Sequence, residues 1–212
     1  MRWARAPVRP AGDAAPPVSE MPALLRRRAE RLGRMALAVL YQSSDATAPI
    51  VYCSRYGELG RVVTLLNELA ATGTVSPQGF SVSVHNAMAG LYSIATRGRE
   101  NVQSLAAGPG TPFAGLVDAA GLLADGTPCV RLVWCEEPVP PVFARFAEPS
   151  DTAYAVLLEL EAGRDFAFEW VAPAGPVSAL PPALALLAFL LGDAQEALVN
   201  AGPEACRLRR GA

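Results

Sequence analysis

The chain has 212 residues, 51% of them hydrophobic, enough for one domain with a substantial core. A formal net charge of −2 gives no electrostatic reason to expect nucleic acid as a partner. With no lysine and a single histidine, His85, the chain cannot build a Walker loop, a Schiff-base or pyridoxal-phosphate enzyme, a Ser-Lys hydrolase or a multi-histidine metal site.

Residues 1–20 are rich in proline, alanine and arginine and read as a poorly ordered arm, without the apolar segment of a signal peptide. Ser19, Glu20 and Pro22 make a helix start, and Leu25, Leu32, Met35, Ala36 and Val39 continue it as one apolar stripe to about Leu40. Arg26, Arg27, Arg28, Arg31 and Arg34 crowd its first half. The run IVYC at 50–53 predicts a buried strand, and Leu59, Val62, Val63, Leu66 and Leu69 predict an amphipathic helix over 59–70.

After a loop at 73–79, FSVSV at 80–84 predicts a short extended run. Residues 86–95 then form a helix with small or apolar residues at Ala87, Ala89, Gly90, Leu91 and Ile94, the pattern of a close-packing face. A strand over 102–106, a helix over 113–124 and a nearly continuous apolar strand over 128–134 follow. Residues 154–160 and 166–171 are two further strands, able to pair as a hairpin, with Phe166, Phe168 and Trp170 on one face. A hydrophobic helix spans 182–192, and 207–212 read as a basic tail. Helices alternating with apolar strands predict an α/β fold with a mixed sheet covered by helices.

Cys53, Cys129, Cys135 and Cys206 form no CxxC pair and read as free thiols in a reducing, cytoplasmic setting. The longest apolar stretch, 183–191, is too short to span a bilayer. No metal site and no cofactor are expected. His85 beside Asn86 fits a structural role at a helix start better than catalysis, because no nucleophile motif accompanies it. Ser83 and His85 share a face of the expected strand, but there is no GxSxG elbow. Gly108, Gly110 and Gly115 lack dinucleotide-binding spacing and mark a tight strand-to-helix turn.

Three ordered blocks carry a family resemblance: PALLRRRAERLGRMAL at 22–37, APIVYCSRYGELGR at 48–61 and SPQGFSVSVHNAMAGLYSIA at 76–95. Together they resemble the β-ketoacyl synthase-like proteins called chain length factors, of the half-length type in bacterial aryl polyene and pigment clusters. The resemblance implies half of a thiolase-like (ketosynthase) fold, here an N-terminal-half domain over 21–206. It also implies an opening strand. Residues 1–17 contain nothing strand-like, so the expectation is either that the strand is dispensable here or, as the favoured of the two, that the start lies downstream of the true one.

Catalytic members of that family carry a cysteine on the turn after the strand that corresponds to 102–106. In this chain Ala106 and Ala107 stand there, and the family's catalytic histidines belong to a second half that 212 residues do not hold. The resemblance therefore implies a protein with no independent condensing activity in a polyketide or fatty-acid-type pathway. Its partner would be a ketosynthase or a second copy. Arg26, Arg27, Arg31 and Arg34 are candidates to contact an acyl carrier protein, against the alternative of a solvated face paired with Glu20, Glu30 and other carboxylates, and His85, Asn86, Ala87, Ala89 and Gly90 are the structural or interface candidates. The competing expectation is an acyltransferase or thioesterase using Cys53 or His85.

Overall fold

Side chains along a strand alternate between two faces, and in the central sheet each face meets its own core. The computed structural model describes residues 2–3, 14–148, 151–175, 179–201 and 203–211. Strands β2 (Ile50–Cys53), β3 (Val102–Leu105) and β4 (Cys129–Glu136) run parallel, with β2 in the middle. Antiparallel β5 (Tyr154–Glu161) adds to β4, and β1 (Arg2–Trp3) adds to β5, giving the order β1-β5-β4-β2-β3.

Val51, Cys53, Leu132 and Trp134 enter one core, beneath α6 (Thr111–Ala124) and α7 (Pro182–Leu191). Ile50, Tyr52, Val133 and Cys135 enter the other, beneath α2 (Arg31–Leu40) and α5 (Ala87–Thr96). This is the expected mixed sheet with helices on both faces. No helix among the described residues is long and apolar enough to cross a membrane.

Several local expectations are corrected. Arg2–Trp3 pairs with Leu160 and Glu161, so a strand does lie within residues 1–17. Residues 4–13 of the expected N-terminal arm lie outside the described residues, while Val18 near its end is buried in the core shared with α2. The single helix over 20–40 is broken into α1 (Ala23–Arg26) and α2, because Glu30 is extended and Ala29 turns inward to 4% exposure. Residues 80–84 are not extended. Pro77 and the Ser76 cap, whose hydroxyl accepts from Gly79 N–H at 3.2 Å, make a short helix α4 (Pro77–Ser81) that overrides the β-branched pattern. Ser83 and His85 therefore share no strand face.

The expected hairpin of 154–160 with 166–171 does not form. β5 is taken by β4 along its whole length, and β6 (Phe166–Val171) joins a second antiparallel sheet in the order β6-β8-β7. Its other members are β7 (Glu196–Ala201), which the sequence pattern missed, and β8 (Glu204–Arg210). The expected basic tail is thus largely the central strand of a sheet. Arg207 and Arg209 are held there by Glu169 and Glu196 across the strands, at 2.9 to 3.7 Å.

Helix α6 lies close against the sheet because Gly115 has no side chain. A Cβ there would stand 2.5 Å from Cys53 Sγ and 2.9 Å from Leu132 Cδ1. Gly115→Ala is expected to destabilise by about 1–3 kcal/mol, and Cys53→Ala in the same chain to relieve part of it. Denaturant midpoints of the two single variants and the double variant check this.

Candidate functional site at the strand ends

In an open sheet with parallel strands, the loops at the carboxyl ends converge outside the sheet. Here three do so. Residues 54–58 follow β2, residues 106–110 join β3 to α6, and residues 137–140 follow β4. Between them lies a cavity of about 40 Å³ whose lining includes Arg55, Tyr56, Thr111, Glu136, Glu148 and Tyr154. Beside it, Arg31, Tyr56, Gly57, Leu59 and Glu137 help line a hollow of about 230 Å³.

The turn into α6 is closed on itself. Ala107 N–H donates to Thr111 Oγ1 at 2.9 Å, and that hydroxyl donates to Gly108 O at 2.6 Å. Gly110 N–H donates to Ala107 O and Thr111 N–H to Gly108 O, both at 3.1 Å, while Phe113 N–H donates to Gly110 O at 3.0 Å. Pro109 and Pro112 have no N–H to offer. The N–H groups of Ala107, Gly110, Thr111 and Phe113 at this helix start are thus taken by the turn's own oxygens. Above Gly110 lie Trp170, edge-on to Phe113 at 5.2 Å, and Glu204. Ala106 and Ala107 are exposed.

None of the four cysteines stands at this turn. Cys53 is 1% exposed beside Gly115, inside α6's span rather than at its start, and burial pushes its pKa far up, with Asp118 and Glu136 adding. Cys135 is fully buried, its thiol directed at Cys53 O at 3.7 Å, and burial likewise holds it protonated. Burial raises Cys129 and carries Cys206 to about 12. His85 is committed elsewhere. Its Nε2 donates to Ser54 O at 2.7 Å, and its ring stands edge-on to Tyr52 with centroids 6.0 Å apart. The imidazole therefore pins the loop after β2 and serves none of these thiols.

The acidic groups at this end are the residues that sequence reasoning missed. Glu136, at the end of β4, accepts from Arg55 N–H and from Ser54 Oγ. Burial raises its pKa to about 7 against the opposing pull of Arg55 and Ser54. Arg55 in turn pairs with Glu148 at 2.7 Å. Glu58, 6% exposed, is raised to about 7 by burial, with Arg61 opposing and Glu30 and Glu137 adding. The only linear signal was an acidic pair ending an apolar run, VWCEE.

The other candidates are dispersed. Ala87 and Ala89, named as structural or interface candidates, are buried at 8% and 0% and pack inward in the core shared with α2. Gly90 faces open space and Asn86 is exposed. Arg26 donates to Val18 O, Arg34 to Ala29 O, and Arg31 pairs with Glu137 at 2.8 Å, leaving Arg27 exposed on the surface.

The profile of the family described as "Beta-ketoacyl synthase, N-terminal domain" matches residues 1–201. Among solved structures, the chain is similar to one in a ketosynthase (ApeO) complexed with its chain length factor (ApeC) from Xenorhabdus doucetiae. Identity is 28%, coverage 91% of this chain and 83% of that one, and the TM-score 0.80. The ishigamide ketosynthase/chain length factor shares its fold at 16% identity and TM-score 0.57, over 68% of this chain and 49% of that one. A β-ketoacyl synthase from Burkholderia phymatum STM815 does so at 16% identity and TM-score 0.53, over 71% and 46%. No curated protein sequence matches this one.

Proposed function

We propose, because this chain belongs to the family of β-ketoacyl synthase N-terminal domains, that it acts as a non-catalytic, chain-length-factor-like half. It pairs with a condensing enzyme in a polyketide or fatty-acid-type pathway of the aryl polyene kind, in the cytoplasm. The observation that carries the reading is the turn at 106–110. Alanine stands where the family's nucleophile would be, and the helix-start donors are internally bonded. With no thiol at this turn and the N–H groups of Ala107, Gly110, Thr111 and Phe113 bonded within it, the scaffold retains shape without the means to form an acyl thioester there. Its contribution to the partner is steric, walling one side of the space that the partner's growing acyl chain occupies. Similarity to a chain in a ketosynthase–chain length factor complex supports this.

The docking edge is β3. Among the described residues it pairs only with β2. Asn101 O and Leu105 O face β2, accepting from Ile50 and Ser54 N–H, so the backbone groups of Val102 and Ser104 face outward. The helices on its two faces carry exposed Ile94 and Val117, at 63% and 45%. Such an edge is suited to antiparallel addition of a partner's strand.

Co-expression with a ketosynthase of the kind found in that complex tests the reading. The two chains are expected to co-elute. Ser104→Pro, which removes one outward N–H and leaves the β2 pairing intact, is expected to weaken co-elution by roughly tenfold or more. The purified chain, offered an acyl-carrier thioester, is expected to show no covalent acylation by mass spectrometry. Acylation lost in Cys53→Ser, or a chain that never co-elutes with a ketosynthase, would sink the proposal.

A further inference from the structure

Helix α3 (Leu59–Thr72) has 14 residues but buries one side chain, Leu65, which meets α4 beside Gly79. Its polar tethers to the body lie in its first turn. Arg61 Nη2 donates to Arg28 O at 2.8 Å and pairs with Glu30 at 3.2 Å. Glu58, the N-cap, accepts from the Gly33 N–H of α2. Its Oε1 would lie 3.1 Å from a Cβ at Gly33, and it has no hydrogen-bond partner. Buried Arg61 Nε also has none.

A buried acceptor without a donor is tolerable as part of a neutral acid and costly as part of a carboxylate. The surroundings sharpen the contrast. Facing Glu58 are Glu30 before α2, Arg61 on α3 and Glu137 after β4, with Tyr52 and Cys135 from the sheet below. Arg61 is shared with Glu30, and Arg31 is taken by Glu137. The Arg61 guanidinium favours the ionised form but only partly offsets the cost of burial.

We propose that the Glu58 carboxyl is a protonation latch for the α3–α4 arm, residues 59–81. Neutral, it stays buried beside Gly33 without the desolvation cost of a charge, and the first turn of α3 rests on α2. Ionised, it must draw water to Oε1, and the turn lifts. Burial places its titration at about 7, so both states are populated between mildly acidic and mildly basic pH. The arm exposes Leu66, Leu69 and Phe80, at 53%, 46% and 59%, so opening displaces an apolar surface. The device is a property of the chain alone and does not depend on the condensing partner.

Amide hydrogen exchange on the purified full chain, corrected for intrinsic rates, tests it. Between about pH 6 and about pH 8.5, protection over 59–81 is expected to fall by roughly tenfold, while β4 and α6 hold theirs. In Glu58→Gln the arm's protection is expected to be flat with pH. An equal fall in that variant, or no fall in the parent, overturns the latch. Should the variant not fold, carbon-13 titration of the Glu58 carboxyl in the parent decides. A midpoint near 7 supports the latch, and one near the ordinary 4.5 overturns it.

Discussion

Replacing Arg131 by alanine is expected to cost about 3–5 kcal/mol of stability, enough to unfold a large fraction of a marginally stable domain. Arg131 is 0% exposed, in the middle of β4, and its guanidinium serves three partners. Nε and Nη2 donate to Ala48 O at 2.9 and 2.6 Å, Nη1 donates to Tyr92 Oη at 3.1 Å, and Nη2 reaches Glu100 Oε1 at 3.3 Å. It thus ties the loop before β2, helix α5 and the loop before β3 to the central strand. Its removal strands a Glu100 carboxylate that is only 4% exposed. Truncating one partner of a buried pair is what makes the loss large. Removing both, as Arg131→Met with Glu100→Gln, is expected to recover a substantial part. Urea midpoints for the two single variants and the double variant measure the coupling, and strict additivity would contradict this account.

The second large effect is a fall in stability with rising pH. Glu58 and Glu136 ordinarily titrate near 4.5 and do so at about 7 when folded, mainly through burial. The protonated form therefore favours folding. That contribution is complete below about pH 4.5 and disappears as pH rises through 7, on the order of 3 kcal/mol for each carboxyl. Glu159 acts in the opposite sense. Burial raises it, but Ser43, Ser44 and the backbone at Ser44 and Asp45 outweigh burial and hold it below its usual range. Its stabilisation is lost as pH falls through that lowered value, so greatest stability is expected near pH 5. Chemical unfolding at about pH 5 and about pH 8 measures the difference. Glu58→Gln and Glu136→Gln should each shrink it, and equal stability at the two values would refute the assignment.

Strands β2 and β4 were legible because burial on both faces leaves a continuous apolar run that needs no knowledge of neighbours. Helix α6 was legible from its glycine- and proline-marked turn and its apolar composition. β7 and β8 were not. EALVNA and EACRLRR mix charge with apolar residues, and they become strands only because Glu169, Glu196, Arg207 and Arg209 pair across a sheet assembled from distant segments. FSVSV misled because the capping that made it a short helix depends on Ser76 and Pro77, outside the apolar run.

The residue order by itself determined which reactive side chains this chain offers and where. A chain with one histidine, no lysine and alanine at 106 and 107 has no condensing nucleophile there in any fold, because side-chain identity is local and needs no neighbours. Only the tertiary structure decided which groups hold protons near neutrality, which small residues pack inward and that β3 pairs only with β2 among the described residues. Those properties depend on distance to water and to charge, and sequence separation does not encode either.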